Sequence, residues 1–157
     1  MCTVSFVPIG PQQFILTSNR DETKQRGLAS LPDYLAYEGR NIICPRDPLA
    51  NGTWIAASEN GRVTCLLNGA FERHQRQDKY RKSRGIVVLD SLTYQSAEEF
   101  VAHYDFSDIE PFTMVCVSNL DNILLHEIRW DGDRYYFKSL DEKQYHLWSS
   151  VTLYNEE

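Results

Sequence analysis

The second residue of the chain, Cys2, has a side chain suited to covalent catalysis. Methionine aminopeptidase removes an initiator methionine that precedes a small side chain, so removal of Met1 would give Cys2 a free α-amino group. A thiolate needs a base within hydrogen-bond reach, and an α-amino group, with an ordinary pKa of about 7.7–8.0, can accept the thiol proton at neutral pH. Cys2 would then supply both nucleophile and base. The alternative is that Cys2 is only a small buried residue.

A polar tetrapeptide, Asn19-Arg20-Asp21-Glu22, is predicted to lie beside Cys2. Residues 3–7 and 14–18 alternate polar and apolar side chains, and the segment between them is rich in Pro and Gly, which indicates a β-hairpin. Pairing the strands about the centre of this turn places Val7 opposite Phe14 and Cys2 opposite Asn19. The second strand therefore delivers the tetrapeptide to the start of the first.

The charges of this tetrapeptide fit a nucleophilic site. An acid such as Asp21 would orient the α-amino group, Arg20 would help to stabilise charge, and an Asn side chain or a backbone N–H would bind an oxyanion. The alternative is that residues 20–22 form a charged turn with local ion pairs, which contribute little to stability.

Several motifs resemble, in order, those of the NRDE family, which is named for this tetrapeptide and is also called the transport and Golgi organisation family. They begin with Met-Cys-Thr at residues 1–3 and the segment 14–22. They continue with Pro45-Arg46-Asp47-Pro48, Asn51-Gly52-Thr53-Trp54-Ile55-Ala56, Asn60-Gly61-Arg62 running to Leu66-Leu67-Asn68, and Ser83-Arg84-Gly85. Beyond these motifs the resemblance is weak.

The resemblance implies an α+β fold like that of the N-terminal nucleophile hydrolases, with four layers (αββα) in which two antiparallel sheets lie between outer helices. Relatives include penicillin V acylase and bile salt hydrolase, which cleave non-peptide C–N amide bonds through an N-terminal cysteine. We therefore expect one domain over residues 1–157, shorter at its C-terminus than longer members. We expect it to cleave a small acyl-amide through a thioester acyl-enzyme.

The resemblance also assigns roles to individual residues. Cys2 is the nucleophile, Asp21 orients its amine, and Arg20 lies near the site. Asn68, at the end of an inner strand, is the candidate for contact with the oxyanion or the substrate. Further substrate contacts are expected from Asn19, Glu22 and Trp54.

Two features depart from the family pattern. Asn51-Gly52 replaces the usual Gly-Gly before Thr-Trp, which could alter a tight turn. The acylases also use a late Asn and a late Arg, for which Asn119 and Arg129 are only nominal candidates.

A second function class stays open, because members of the family are linked to haem handling and to lipid homeostasis. In that case the chain is a non-catalytic haem- or lipid-binding protein on a hydrolase-like scaffold. The four histidines would be the candidate axial ligands of haem, although a surface or packed position explains each of them better: His74, His103, His126 and His146. The catalytic hypothesis requires neither a cofactor nor a metal.

Composition narrows the class of protein. The 157 residues carry a net charge of −6, which disfavours nucleic acid as a partner because phosphate contacts dominate such binding. The chain has no apolar run of about 18 residues and no basic N-terminal signal, so we expect no membrane span and a cytoplasmic location. The expected partner is a small-molecule amide or a hydrophobic ligand.

The remaining cysteines indicate no zinc site and no disulfide framework. Cys44, Cys65 and Cys116 form no C-x-x-C pair, and without a secretory signal reduced thiols are the default. Cys65 and Cys116 fall within strand-like apolar runs and are predicted to be core residues.

The elements that position these residues follow from hydrophobic periodicity. Asn60-Gly61 predicts a two-residue hairpin turn between strands at 54–58 and 62–67, with Glu59 paired to Arg62. Helices are predicted at 83–92 and, from the capping box at 96–99, through residue 104. Later strands are predicted at 112–117, 123–130, 134–137, 145–148 and 151–154.

Two loops have no clear periodicity. Residues 23–52 are predicted to cover a binding site or to contain a short helix. The segment from Arg73 to Arg84 is locally basic, and it is either a solvated loop or a site for an anion.

Overall fold

The computed structural model describes residues 2–20 and 27–151. Its elements are β1 (Thr3–Gly10), β2 (Gln13–Asn19), β3 (Asp33–Tyr37), β4 (Arg40–Cys44), β5 (Ile55–Ser58), β6 (Arg62–Asn68), α1 (Arg84–Ser91), α2 (Ala97–His103), β7 (Phe112–Asn119), β8 (Ile123–Trp130), β9 (Tyr135–Leu140) and β10 (His146–Ser149). Neither helix is long and apolar enough to cross a membrane.

The strands form two antiparallel sheets. The larger has seven strands in the order β3-β4-β5-β6-β7-β8-β9, so each strand pairs with its neighbour in sequence. The smaller has the order β10-β1-β2, which pairs the last strand of the described chain with the first. The predicted α+β class and the two antiparallel sheets are confirmed.

Two hydrophobic clusters lie on opposite faces of the central strands of the larger sheet. On β6, Cys65 and Leu67 belong to the cluster that also holds Val4 and Phe6 of the smaller sheet. Leu66 of the same strand belongs to the cluster that holds the buried residues of both helices. Strands β6 and β7 are therefore covered on both faces, which explains why they read as nearly continuous apolar runs.

The four-layer arrangement is not shown. Both described helices contribute to a single cluster, and the outer face of the smaller sheet exposes Ile15 and Leu147. Among residues 2–20 and 27–151 there is no helix against that face.

The N-terminal hairpin forms as predicted, but its register differs by one residue. Thr3 pairs with Asn19 and Val7 with Ile15. The turn is the two-residue Pro11-Gln12, and an irregularity lies between Pro8 and Gly10. The prediction placed the whole segment 8–13 in a symmetric turn, and the bulge shifted the pairing.

The second predicted hairpin is also shifted by one residue. Ser58 pairs with Arg62, so the loop is Glu59-Asn60-Gly61, with Gly61 at φ 73°. Three-residue loops of this kind end in a residue with positive φ. The predicted pairing of Glu59 with Arg62 is wrong: Glu59 accepts hydrogen bonds from Asn41, and Arg62 is buried (1% exposed).

The described part of the segment 23–52, residues 27–52, contains a hairpin and no helix. Strands β3 and β4 pair through the turn Glu38-Gly39, and both turn residues have positive φ, at 45° and 76°. A two-residue turn with two positive φ angles matches the right-handed twist of the flanking strands. The sequence signal was the tyrosine content of Tyr34–Tyr37, since aromatic residues are enriched in strands.

Both predicted helices are present. Helix α2 begins after Ser96, whose side chain accepts a hydrogen bond from the backbone N–H of Glu99 (3.1 Å), as the capping box predicted. The later predicted strands are present as β7 to β10, whereas the strand predicted at 151–154 lies outside the described residues except for Val151, which is in a turn.

Candidate active site

Cys2 lies at the start of β1, half-buried between the two sheets. Its side chain packs against the cluster that contains Val4, Cys65 and Trp148. The side chains of even-numbered residues of β1 point inward, because Val4 and Phe6 are fully buried. Burial of alternate residues on this strand therefore directs the Cys2 side chain into the space between the sheets.

The backbone of Cys2 is held by Ser150, which directly follows β10. The Ser150 N–H donates to the Cys2 carbonyl oxygen (2.9 Å), and the Cys2 N–H donates to Ser150 Oγ (3.4 Å). Ser150 is 1% exposed. The nitrogen that would become the α-amino group thus already has a buried hydroxyl as a partner.

Arg20 is the residue that faces Cys2 across the hairpin. The ladder pairs Thr3 with Asn19, and one further step of the same register places Cys2 opposite Arg20. Directly opposite residues of an antiparallel pair project from the same face of the sheet. Both side chains therefore point toward the larger sheet.

Among the described residues, Asp47 and Trp54 contact the Arg20 guanidinium. Nη2 lies 2.6 Å from Asp47 Oδ2, in an ion pair in which both side chains are mostly buried. The guanidinium carbon also lies 4.7 Å from the centroid of the Trp54 ring, in cation–π contact. Trp54 therefore lies beside Arg20, and its contact with a substrate stays a prediction.

Asp47 was not predicted as a site residue. It is 5% exposed, and its Oδ1 accepts from the N–H groups of Leu49 (2.9 Å) and Ala50 (3.0 Å) while Oδ2 binds Arg20. The available signal was its place in the Pro45-Arg46-Asp47-Pro48 motif.

A cleft of about 320 Å³ opens beside this ion pair. Its walls include Arg20, Asp47, Trp54, Asn68, Arg76, Arg84, Gly85 and Glu110. Asn68 ends β6, and its carbonyl oxygen accepts from the Val151 N–H (3.4 Å). Cys2 itself does not line the cleft. The backbone of Cys2 bonds to Ser150, and the next residue, Val151, bonds to Asn68, which does line it.

Close contact between two glycines shapes one wall of this cleft. A Cβ on Gly52 would lie 2.6 Å from the carbonyl carbon of Gly85, and one on Gly85 would lie 2.9 Å from the Thr53 nitrogen. The Thr53 N–H also donates to the Gly85 carbonyl oxygen (3.1 Å). Asn51, with φ 52°, adopts the left-handed conformation that a glycine would adopt without strain. The departure from Gly-Gly therefore leaves the turn intact.

The contacts described above join motifs that are far apart in the sequence. A comparison with protein-family models finds the family that these motifs resemble. The model described as Transport and Golgi organisation 2 matches residues 1–156. The chain belongs to this family. The match continues past Gly85, where the last of the quoted motifs ends. A comparison with curated proteins finds no match.

Not every expected site residue of this Transport and Golgi organisation 2 family member joins the cleft. Asn19 is exposed, because its side chain alternates with that of Arg20 and points to the outer face of the hairpin. Asp21 and Glu22 lie outside the described residues, as does Met1.

The candidates for the late Asn and late Arg of the acylases, Asn119 and Arg129, lie in different parts of the structure. Asn119 is at the far end of the hairpin from Cys2, where its side-chain N–H donates to the Gln12 carbonyl oxygen (3.2 Å). Arg129 forms two hydrogen bonds with Glu127 and donates to the Ala70 carbonyl oxygen. Arg129 and Ser150 line a common cavity of about 350 Å³.

Cys2 is less buried than the other three cysteines of the chain. Cys44, Cys65 and Cys116 are buried, whereas Cys2 is half-buried, and none of the four cysteines is in a disulfide. Burial raises the pKa of Cys65 to about 12 and that of Cys116 to about 11, and it also raises the pKa of Cys44. These three thiols are protonated and inaccessible at neutral pH, so Cys2 is the accessible candidate nucleophile.

The four histidines do not point into a common site. His126 is buried, stacked on Phe137 and 3.2 Å from Glu98, His103 is exposed on α2, and His74 lies 3.2 Å from Glu110. His146 stacks on Trp148. In residues 2–20 and 27–151, no group of three or more His, Cys, Asp or Glu residues is arranged to hold a metal ion.

Proposed function

We propose that the protein is a cysteine amidohydrolase of the N-terminal nucleophile type, with Cys2 as nucleophile after removal of Met1. The observation that carries this proposal is the position of Cys2: its nitrogen bonds to buried Ser150 and its side chain enters the space between the sheets. Family membership is consistent with the proposal but shows no activity.

In the proposed reaction, the Cys2 α-amino group accepts the thiol proton and the thiolate attacks the carbonyl carbon of a small acyl-amide. The tetrahedral intermediate collapses with cleavage of the C–N bond, and the amine leaves with the proton that the α-amino group returns. Water then attacks the thioester, aided by the same group, and releases the carboxylic acid and the free thiol. No oxidant, metal or cofactor is required.

We assign the surrounding residues to support roles in this reaction. Ser150 and Asp21 orient the α-amino group. Arg20, held by Asp47, supplies positive charge near the developing oxyanion, and Asn68 is the candidate donor to it. Asn19, Glu22 and Trp54 stay candidates for substrate contact, with Trp54 acting through Arg20. The fold proposed for this enzyme is a single domain over 1–157 with the four-layer αββα arrangement.

Two mass-spectrometric measurements test this proposal. We expect an intact mass that lacks Met1, and selective modification of Cys2 by one equivalent of a thiol-reactive acyl or alkyl probe at pH 7. The Cys2→Ala variant is the matched control, since three buried cysteines remain. Intact Met1, or a Cys2 that does not react under these conditions, would exclude the mechanism.

A substitution at Asp21 tests the role of the tetrapeptide. The Asp21→Asn variant should lose about 1.4 kcal/mol of the interaction that orients the amine, and hence label about tenfold more slowly. The melting temperature should change little. Labelling at the wild-type rate would remove Asp21 from the mechanism.

No observation on the described residues favours the alternative of haem binding. The cleft is lined mainly by polar and charged residues, whereas haem binding requires an axial ligand in a largely apolar pocket. A haem titration with no shift of the Soret band is the expected result.

A further inference from the structure

A second cavity, of about 460 Å³, adjoins the cleft and has a mainly basic wall. The two cavities share Asn68, Arg76, Arg84 and Glu110. The second cavity is additionally lined by Arg73 and His74. We call it the arginine cavity.

Arginines outnumber carboxylates among the described residues that line the arginine cavity. These residues include three arginines and one carboxylate, Glu110. Glu110 is occupied by two of its neighbours, because Arg84 lies 3.3 Å and His74 3.2 Å from its carboxylate oxygens. The described part of the wall is therefore richer in basic than in acidic residues, in a protein whose net charge is −6.

Arg76 is the cation best placed to bind a ligand. Its side chain is exposed and lines both cavities. Over residues 2–20 and 27–151, the ion pairs include none that involves Arg76. Asp78 lines the cleft but not the arginine cavity, so it does not neutralise that wall.

The arginine cavity also adjoins the segment that holds the candidate nucleophile. Val151 lines it, and the Val151 N–H donates to the carbonyl oxygen of Asn68. The preceding residue, Ser150, bonds to both backbone groups of Cys2. A ligand in the cavity therefore lies against the turn that positions Cys2.

We propose that the arginine cavity binds the carboxylate of the substrate, with Arg76 as the principal contact. The planar guanidinium group presents paired N–H donors that match the two oxygens of a carboxylate. The inference rests on the proposed function, and it identifies the substrate class as a small amide that carries a carboxylate. Neutral amides of the same size bind more weakly.

Calorimetric titration with a matched pair of probes tests this proposal. N-hexanoylglycine and N-hexanoylglycinamide differ only in that one carries a carboxylate and the other a neutral amide. The Cys2→Ser variant is used so that neither probe is consumed. We expect the acid to bind about tenfold more tightly than the amide, a ratio that corresponds to about 1.4 kcal/mol, and we expect added salt to reduce this preference.

Two variants test whether Arg76 causes the preference for the acid probe. Arg76→Gln should remove most of the preference for the acid. Arg134→Gln is the matched control, because Arg134 is an exposed arginine beside Asp131 and Tyr136, and it should keep the preference. Equal affinity for both probes, absence of acid binding at millimolar concentration, or a preference that survives Arg76→Gln would overturn the proposal.

The same measurements separate this inference from the proposed reaction. Binding does not require a reactive Cys2, so a Cys2 that fails to label together with a preference lost in Arg76→Gln would exclude the reaction alone. A Cys2 that labels selectively in a protein that binds both probes equally would exclude the carboxylate site alone.

Discussion

Cys2 and Ser150 form the contact on which the proposed chemistry depends. A free α-amino group is useful as a base only if its lone pair is directed toward the thiol, and a buried hydrogen-bond partner restricts its orientation. Ser150 provides that partner, since its hydroxyl is 3.4 Å from the Cys2 nitrogen and its residue is 1% exposed.

Replacement of Ser150 should therefore slow the reaction of Cys2. We expect Ser150→Ala to reduce the rate of Cys2 labelling at pH 7 about three- to tenfold and to lower the free energy of unfolding by about 1 kcal/mol, as for one lost hydrogen bond. Ser149→Ala, at the neighbouring position, is the control. A Ser150→Ala protein that labels at the wild-type rate would show that the hydroxyl only supports the turn.

The sequence could predict Cys2 and Arg20 but not Ser150 or Asp47. Cys2 and Arg20 belong to a short hairpin whose alternation is visible in the sequence. Ser150 is 148 residues from Cys2, and no local pattern marks its position. Asp47 lies in a loop after β4, where the identity of its partner depends on tertiary packing.

At the scale of the elements, a loop and the start of a helix meet through two glycines. Gly52 precedes β5, and Gly85 lies in the first turn of α1; their backbones approach so closely that no side chain fits between them. This contact fixes the start of α1 against the segment that carries Trp54, immediately before β5.

A methyl group at Gly52 should separate these elements. We expect Gly52→Ala to lower the free energy of unfolding by about 2–3 kcal/mol because of overpacking, and to slow Cys2 labelling as Trp54 and Arg20 shift. Urea denaturation gives the first quantity. Gly10→Ala is the control, because the nearest atom to its Cβ would be 3.5 Å away. Equal stability of the two variants would contradict the steric argument.

The elements themselves were predicted better than their pairing. The strands and both helices follow hydrophobic periodicity, whereas two registers shifted by one residue because a bulge near Pro8 and the three-residue loop at Glu59–Gly61 add a residue that periodicity does not reveal. The β3–β4 hairpin was missed because its turn, Glu38-Gly39, lacks the usual Asn or Asp at its first position.

On the scale of the whole molecule, burial of ionisable groups makes stability depend on alkaline pH. The pKa values of Cys65 and Cys116 are raised by burial to about 12 and about 11, and those of Tyr37 and Tyr104 are raised by burial and by their hydrogen bonds to Asp90. Each group stays protonated in the folded protein at a pH where the unfolded chain has lost the proton.

The free energy of unfolding should therefore fall as the pH rises above about 9, the region in which thiols ionise in the unfolded chain. Below that pH the contribution of these groups is fully present, and it is lost progressively toward pH 11–12. Urea denaturation at pH 8 and pH 10 measures the difference. The Cys65→Ala/Cys116→Ala variant should show a smaller fall, and an identical fall would assign the effect to other groups.

The smaller sheet joins the two ends of the described chain, since β1 lies between β2 and β10. During synthesis, Cys2 emerges from the ribosome early, yet its partner Ser150 is translated more than one hundred residues later. The hairpin that carries Cys2 is therefore synthesised long before β10 and Ser150, which contact its backbone. If Cys2 reacts as proposed, a nascent or prematurely terminated chain would carry the thiol without the group that orients its base, and reactivity would be coupled to the synthesis of β10.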